Sequence, residues 1–222
     1  MNYLLKLIQT GNTAEIAEAV EKDPALVEFC DSQGVSALLW AIYMGQPLVR
    51  DFLAVRLRAH GVAPNIFEAA ALGDAERLSD ILAANSNAAN SFAGDGWTPL
   101  HLAAAFGTPQ TVSMLLAAGA HVDAASQNAQ QNQPLHAALA LGRNPESIRI
   151  LLEHGADPNA RQAGGFTPIF SAAAVNRRDL VELLLSHGAK PALASDDGKT
   201  PAEFARERGH EELAAWLETQ TA

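Results

Sequence analysis

At 222 residues the chain is long enough for one large domain or two small ones, and its formal net charge of −10 sets up a field that repels phosphate backbones and anionic membrane surfaces, which excludes nucleic acid and lipid as natural partners. Hydrophobic residues at 48 % and charged residues at 18 % are an ordinary globular balance, and aromatics at only 6 % leave much of the apolar share to alanine, so closely packed helices are expected. The one cysteine, Cys30, excludes an internal disulfide and any cysteine-based zinc cage, fits a reducing compartment, and is expected as a small core residue rather than a reactive thiol.

The chain opens with the apolar run Met1 to Ile8, which gives way to Gln9-Thr10-Gly11-Asn12 without a basic segment or cleavage site, so no export signal is read. No later stretch approaches the roughly 20 apolar residues that span a bilayer. A cytoplasmic location is expected.

From here a ten-residue block recurs, clearest as Thr98-Pro99-Leu100-His101-Leu102-Ala103-Ala104-Ala105-Phe106-Gly107. Its copies begin at Asn2, Ser36, Pro64, Thr98, Gln133, Thr167 and Thr200, at spacings of 34, 28, 34, 35, 34 and 33. The block spells a short helix: threonine caps its start, proline takes the first helical position, and glycine supplies a left-handed end. Gly11, Gly45, Gly73, Gly107, Gly142 and Gly209 hold that end, and Asn176 replaces glycine in the sixth copy as the residue next best suited to the left-handed region. A second apolar periodicity follows, as in Val112-x-x-Leu115-Leu116, Ile148-x-x-Leu151-Leu152 and Val181-x-x-Leu184-Leu185. It stops at Gly119-Ala120, Gly155-Ala156 and Gly188-Ala189, ahead of hairpin-like fingers such as Asp157 to Phe166.

A period near 33 carrying Thr-Pro-Leu-His-x-Ala resembles the ankyrin-repeat family, over nearly the whole chain. The resemblance implies an all-α solenoid of about seven helix-turn-helix repeats with short β-hairpin fingers, one domain over residues 1–222. Each repeat then depends on its neighbours, and the two terminal copies need polar outer faces. Lys6, Gln9 and Asn12 supply one, and Glu203, Arg206, Glu207, Arg208, Glu211 and Glu212 the other. The 28-residue interval departs from the pattern. Gly45 to Gly61 spans 16 residues against 12 from Gly107 to Gly119, and only 3 separate Gly61 from Pro64. The second helix of repeat two therefore gains about a turn, its finger is missing near residues 60–65, and the row of fingers is expected to be interrupted there with a bend or twist.

In the family, histidine at the fourth block position hydrogen-bonds backbone and ties the turn, which assigns His101 and His136 structural roles. His60, His154 and His187 precede helix-ending glycines and are expected to cap carbonyls, too far apart to share a metal. Asp196-Asp197 and Glu211-Glu212 read as solvated surface, and Gly94-x-Gly96 as a finger turn. No nucleophile elbow, phosphate loop or metal-binding histidine pair is present, so no catalytic residue, cofactor or metal is assigned.

The family presents the ends of its first helices, and its fingers, on a concave binding face. The residue before each terminal glycine reads Met44, Leu72, Phe106, Leu141, Val175 and then Arg208. With Tyr43, and with Trp97 and Phe166 at matched finger positions, this forms a stripe of apolar anchors of the kind that dominate protein interfaces. The competing reading packs these side chains half-buried against the adjacent repeat, Trp97 and Phe166 being the ones expected to stand clear. The function so read is protein–protein interaction by a monomer, with a basic protein as the charge complement. The other classes are an enzyme built on the finger loops, for which no convergent polar group is visible, and a structural spacer.

Overall fold

A computed structural model describes residues 3–141 and 144–220, with the side chain of Leu141 not described. Asn2 and Gly142, a predicted block start and a predicted helix end, lie outside the described residues. Among those residues fourteen α-helices form seven pairs. They are α1 (Tyr3–Thr10) with α2 (Thr13–Lys22), α3 (Ala37–Tyr43) with α4 (Pro47–Ala59), α5 (Ile66–Leu72) with α6 (Ala75–Ala84), and α7 (Pro99–Phe106) with α8 (Pro109–Ala117). Then come α9 (Pro134–Leu141) with α10 (Pro145–Glu153), α11 (Pro168–Ala174) with α12 (Arg178–Ser186), and α13 (Pro201–Glu207) with α14 (Glu211–Thr219). First helices stack in chain order from α1 to α13, and α2 lies against α4, α6 against α8, and α8 against α10. Short 3₁₀ turns, Pro24–Glu28 and Ser86–Asn90, follow α2 and α6, where the glycine-alanine stop is missing from the sequence.

The helix starts follow the expected chemistry. The side chains of Ser36, Thr98 and Thr200 accept the backbone N–H of the third following residue, relieving one of the unpaired amides at a helix start. In the third repeat the capping residue is Asn65 rather than Pro64, a one-residue shift in which Glu68 completes a capping box. The helix ends correct one expectation. Gly11, Gly45, Gly73, Asn176 and Gly209 have positive φ, but Gly107 does not, its φ being −80°. Glycine is required there by close approach instead, since a β-carbon would strike the carbonyl oxygen of Ala70 on α5.

The fingers are closed turns rather than β-hairpins. Hydrogen bonds such as Ala93 N–H to Trp97 O (2.8 Å) and Gln162 N–H to Phe166 O (3.0 Å) close them. The described residues form no named strand, and their one isolated bridge joins Cys30 to Ser36. Backbone hydrogen bonds link neighbouring fingers, Gln127 N–H to Gly96 O, Ala163 N–H to Gln130 O and Asp196 N–H to Gly164 O, each 2.9 Å, and side-chain bonds from Asn128 to the Asp95 carbonyl and from Arg161 to Asp196 reinforce them. Cys30 is exposed beside the first finger, not in the core as expected, because its segment has already left α2 and the 3₁₀ turn that bury Val20 and Val27.

At the short interval α4 runs to 13 residues, against 9 for α8, α10 and α12, and no finger follows it. The row does not stay open. Gly94, in the finger before α7, sits directly against the carbonyl oxygen of Gln33 in the first finger, which a β-carbon would forbid. The interior is nevertheless in two parts that meet at α3. Ala37, Leu38 and Ala41 join a smaller core with Leu4, Ile8, Ile16 and Leu53, while Val35, Leu39 and Ile42 join the larger core that continues through α14. The α3–α5 packing is less extensive than that of α5 on α7.

Two outcomes follow. Gly107→Ala should lower stability by about 1 to 3 kcal/mol in urea melts, because α5 and α7 must separate to admit a methyl group. In hydrogen exchange under rising denaturant, amides of α1, α2 and α4 should open as a group before those of α7 to α12; simultaneous loss would show that the two cores act as one.

Candidate functional site

The repeated face of the first helices is built on block positions five, eight and nine, which share one side of a helix at spacings of three and four. In α3 positions five and eight hold Trp40 and Tyr43. In α9 and α11 the same two positions hold Ala137, Ala140, Ser171 and Ala174, and around α13 positions five and nine hold Phe204 and Arg208. Large rings at both ends and small residues between leave a trough. Its first basin, about 670 Å³, has Trp40, Tyr43, Trp97 and Phe106 on one side, Ala137 and Ala140 along its floor, and Phe166 opposite. A second basin of about 480 Å³ continues past Phe166 to Phe170, Val175, Phe204 and Arg208. Ala140, Gln162, Phe166 and Ser171 border both, so the two form one groove.

The first wall is a packed aromatic cluster. Tyr43 lies with its ring centroid 5.5 Å from Phe106, 6.3 Å from Trp97 and 6.0 Å from Trp40, and Trp97 stacks at 5.6 Å on His101. Separations in this range favour tilted and edge-on aromatic contacts. The polar tips are directed by carboxylates. Tyr43 Oη donates to Asp95 Oδ2 at 2.6 Å, and Trp40 Nε1 donates to Asp31 Oδ2 at 2.9 Å. Burial, with the adjacent Asp95 carboxylate, pushes the Tyr43 hydroxyl far above its ordinary range, so it stays a donor. Asp95 Oδ1 accepts the Trp97 N–H at 3.1 Å, which anchors the finger to the wall. The second wall joins Phe166, Phe170 and Phe204 with centroids 5.2 to 5.6 Å apart.

His101 and His136 carry out the tying role expected of them. His101 Nδ1 accepts the Thr98 N–H at 3.2 Å, so Nε2 must carry the proton it donates to the Asn132 carbonyl at 2.9 Å. His136 repeats this with Gln133 N–H on Nδ1 and the Phe166 carbonyl on Nε2, both at 3.3 Å. Each imidazole thus fastens its helix start to the finger of the next repeat. Burial is the main cause that pushes His101 down to about 4 and lowers His136 as well, and a proton on Nδ1 would turn an acceptor into a clash of donors. In the sixth repeat Phe170 takes the histidine position, and the buried Thr167 hydroxyl has no hydrogen-bond partner among the described residues. Of the expected carbonyl caps, His154 and His187 bond the carbonyls of Ile150 and Leu183 at 2.8 and 2.9 Å.

The groove gathers part of the predicted stripe. Tyr43, Trp97, Phe106 and Phe166 line the first basin, and Phe166 and Val175 the second. Trp97 and Phe166 do not stand clear as expected; both are half-buried and packed on the larger core, because each finger folds back over the helix it precedes. Met44 lies elsewhere, against the smaller core, and Leu72 is wedged between the two cores. The side chain of Leu141 lies outside the description. Trp40, Ala137, Ala140 and Phe204 were not singled out in the sequence. Stepping back four residues from Met44, Leu141 and Arg208 gives Trp40, Ala137 and Phe204, since that spacing returns to the same face, and Ala140 directly precedes Leu141.

Among the described residues no cluster of three or more His, Cys, Asp or Glu could hold a metal ion, and no helix is long and apolar enough to cross a membrane.

Comparison with known proteins matches residues 66–162 to a family described as ankyrin repeats in three copies, and residues 164–196 to one described as ankyrin repeat, together more than half of the chain. The first two helix pairs precede both matches. Rabankyrin-5 of Mus musculus is 36 % identical over 40 % of this chain and 8 % of its own length. Neurogenic locus notch homolog protein 4 of Homo sapiens is 34 % identical over 54 % of this chain and 6 % of its own length. Tyrosine-protein kinase Shark of Drosophila melanogaster is 28 % identical over 77 % of this chain and 18 % of its own length. The chain thus spans less than a fifth of each of these relatives.

The histidine ties set a pH dependence. His101 is held below its unfolded value of 6.5, so its contribution is complete above pH 6.5 and is lost as pH falls from there toward about 4, while the unfolded chain takes up the proton first. At its limit the loss is about 3 kcal/mol from this residue, with His136 adding in the same direction. Urea melts at pH 7.5 and pH 5 should show it, and His101→Gln, which keeps a helix-capping acceptor without a titrating group, should flatten the difference.

Proposed function

The chain belongs to the ankyrin-repeat family, whose repeats are protein–protein interaction modules, and from that premise we propose that its groove is where a partner protein docks. The observation that carries this is the continuous trough with aromatic rings at both ends and a floor of Ala137, Ala140 and Ser171, which admits a partner's side chains between them. Burying large aromatic side chains in fitted pockets is the usual source of interface affinity. The family's repeats serve generally as non-catalytic modules, and we read this chain the same way, because both ring nitrogens of His101 and of His136 are committed to structural bonds. The whole protein is read as a monomer acting in the cytoplasm, with a basic partner complementing the net charge of −10.

Photo-crosslinking tests the face. A benzophenone amino acid placed at Val175, beside the second basin, should capture a partner in extracts of the source cell, whereas one at Val55, on the exposed outer side of α4, should not. Equal capture from Val55 would move the interface off the groove. With the captured partner in hand, Phe166→Ala and Trp97→Ala should each weaken binding by about 2 kcal/mol or more. Because both rings are half-buried, the same variants should also lose about 1 to 3 kcal/mol of stability, so titrations belong at a temperature where melts show full folding.

A further inference from the structure

The groove is lined mainly by apolar surface and carries opposite charges at its two ends. Among the residues lining the first basin Asp95 is the single carboxylate, and no lysine or arginine is present. Its oxygens are already oriented by Tyr43 Oη and the Trp97 N–H, which fix the group without neutralising it. Beside it stand the rings of Tyr43, Trp97 and Phe106, whose faces attract cations. At the far end Arg208 is the single charged residue lining the second basin. Its guanidinium lies 4.5 Å from the Phe204 ring centroid, and among the described residues it has no carboxylate within ion-pair distance. The neighbouring Arg206, by contrast, is paired with Glu211 and Glu218.

We infer that the groove takes a partner segment whose arginine side chain enters the basin beside Asp95, whose middle is apolar over Phe166, and whose other end presents a carboxylate to Arg208. This rests on the groove being the docking face. Arginine fits the first basin better than lysine because a planar guanidinium stacks on aromatic faces while its edge donates to a carboxylate. The length also follows. Asp95 lies in the finger before α7 and Arg208 directly follows α13, three helix-to-helix steps along the row, on the order of 30 Å at roughly 8 to 10 Å per step. An extended segment covers that with about nine residues at roughly 3.3 Å each. A segment bound the opposite way would set its carboxylate against Asp95, so the charges also fix direction.

The test is selection from a random twelve-residue peptide display library on the full-length chain, with Phe166→Arg as the groove-blocked control. Peptides that bind the wild type and fail on the control should be enriched in arginine toward one end and in aspartate or glutamate toward the other, always in one order. Selection on Asp95→Lys should exchange the first preference for an acidic residue, and Arg208→Glu should exchange the second for a basic one. For one selected peptide, Asp95→Asn, which removes the charge while its oxygen still accepts the Trp97 N–H and its amide can donate to Tyr43 Oη, should weaken binding about tenfold, with circular dichroism showing each variant folded. Groove-dependent peptides with no charge order, or with an order unchanged by the two reversals, overturn the inference and leave the groove as the docking face. Absence of any peptide sensitive to Phe166→Arg overturns both.

Discussion

No helix pair of this chain can bury its own apolar face, and every other feature follows from that constraint. The wide apolar face of a first helix is covered only when another first helix lies on each side of it, as α7 lies between α5 and α9. Stability is therefore shared between neighbours. The closeness of that packing is set by residue size: alanines fill much of α5, α7 and α9, and Gly107 lets the backbone of α7 approach the Ala70 carbonyl. Small residues inside and large ones at the rim are the same allocation seen from two sides.

The missing finger after α4 shapes the groove more than any added motif does. With no turn between α3 and α5 on that side, the finger preceding α7 reaches the first finger, Tyr43 gains Asp95 as a partner, and four aromatic residues from two segments distant in sequence assemble into one wall. A regular array would have placed a finger there instead. The same omission reduces the packing of α3 on α5 and leaves α3 facing two cores, so the irregularity that forms the aromatic wall also marks the seam between them.

The histidines show how a residue type associated with catalysis becomes structural through its surroundings. Buried between a helix start and the next finger, His101 has one nitrogen committed as acceptor and one as donor, which leaves no proton to exchange near neutral pH. Where Phe170 stands in that place, the tie is replaced by ring contacts with Phe166 and Phe204, and a threonine hydroxyl goes unpaired among the described residues in exchange. The second wall of the groove originates in that exchange.

What the sequence by itself determined is the local grammar: the helix starts at Ser36, Thr98 and Thr200, the left-handed ends at Gly45 and Gly209, the lengthened α4 and the absent finger. These depend on capping, backbone conformation and periodicity within a dozen residues, which the order of residues states directly. Tertiary structure decided which parts of the stripe share a surface. Met44 and Leu72 obey the same local pattern as Phe106, yet Met44 packs on the smaller core and Leu72 between the two cores, because the repeats that surround them differ. It also decided that Gly107 serves close approach rather than a left-handed turn, that Cys30 is exposed, and that the fingers close as turns without pairing as strands. The contact at Gly107 depends on the Ala70 carbonyl of the preceding repeat, and the division of the stripe on which repeats surround each residue, so no window shorter than the period contains both partners.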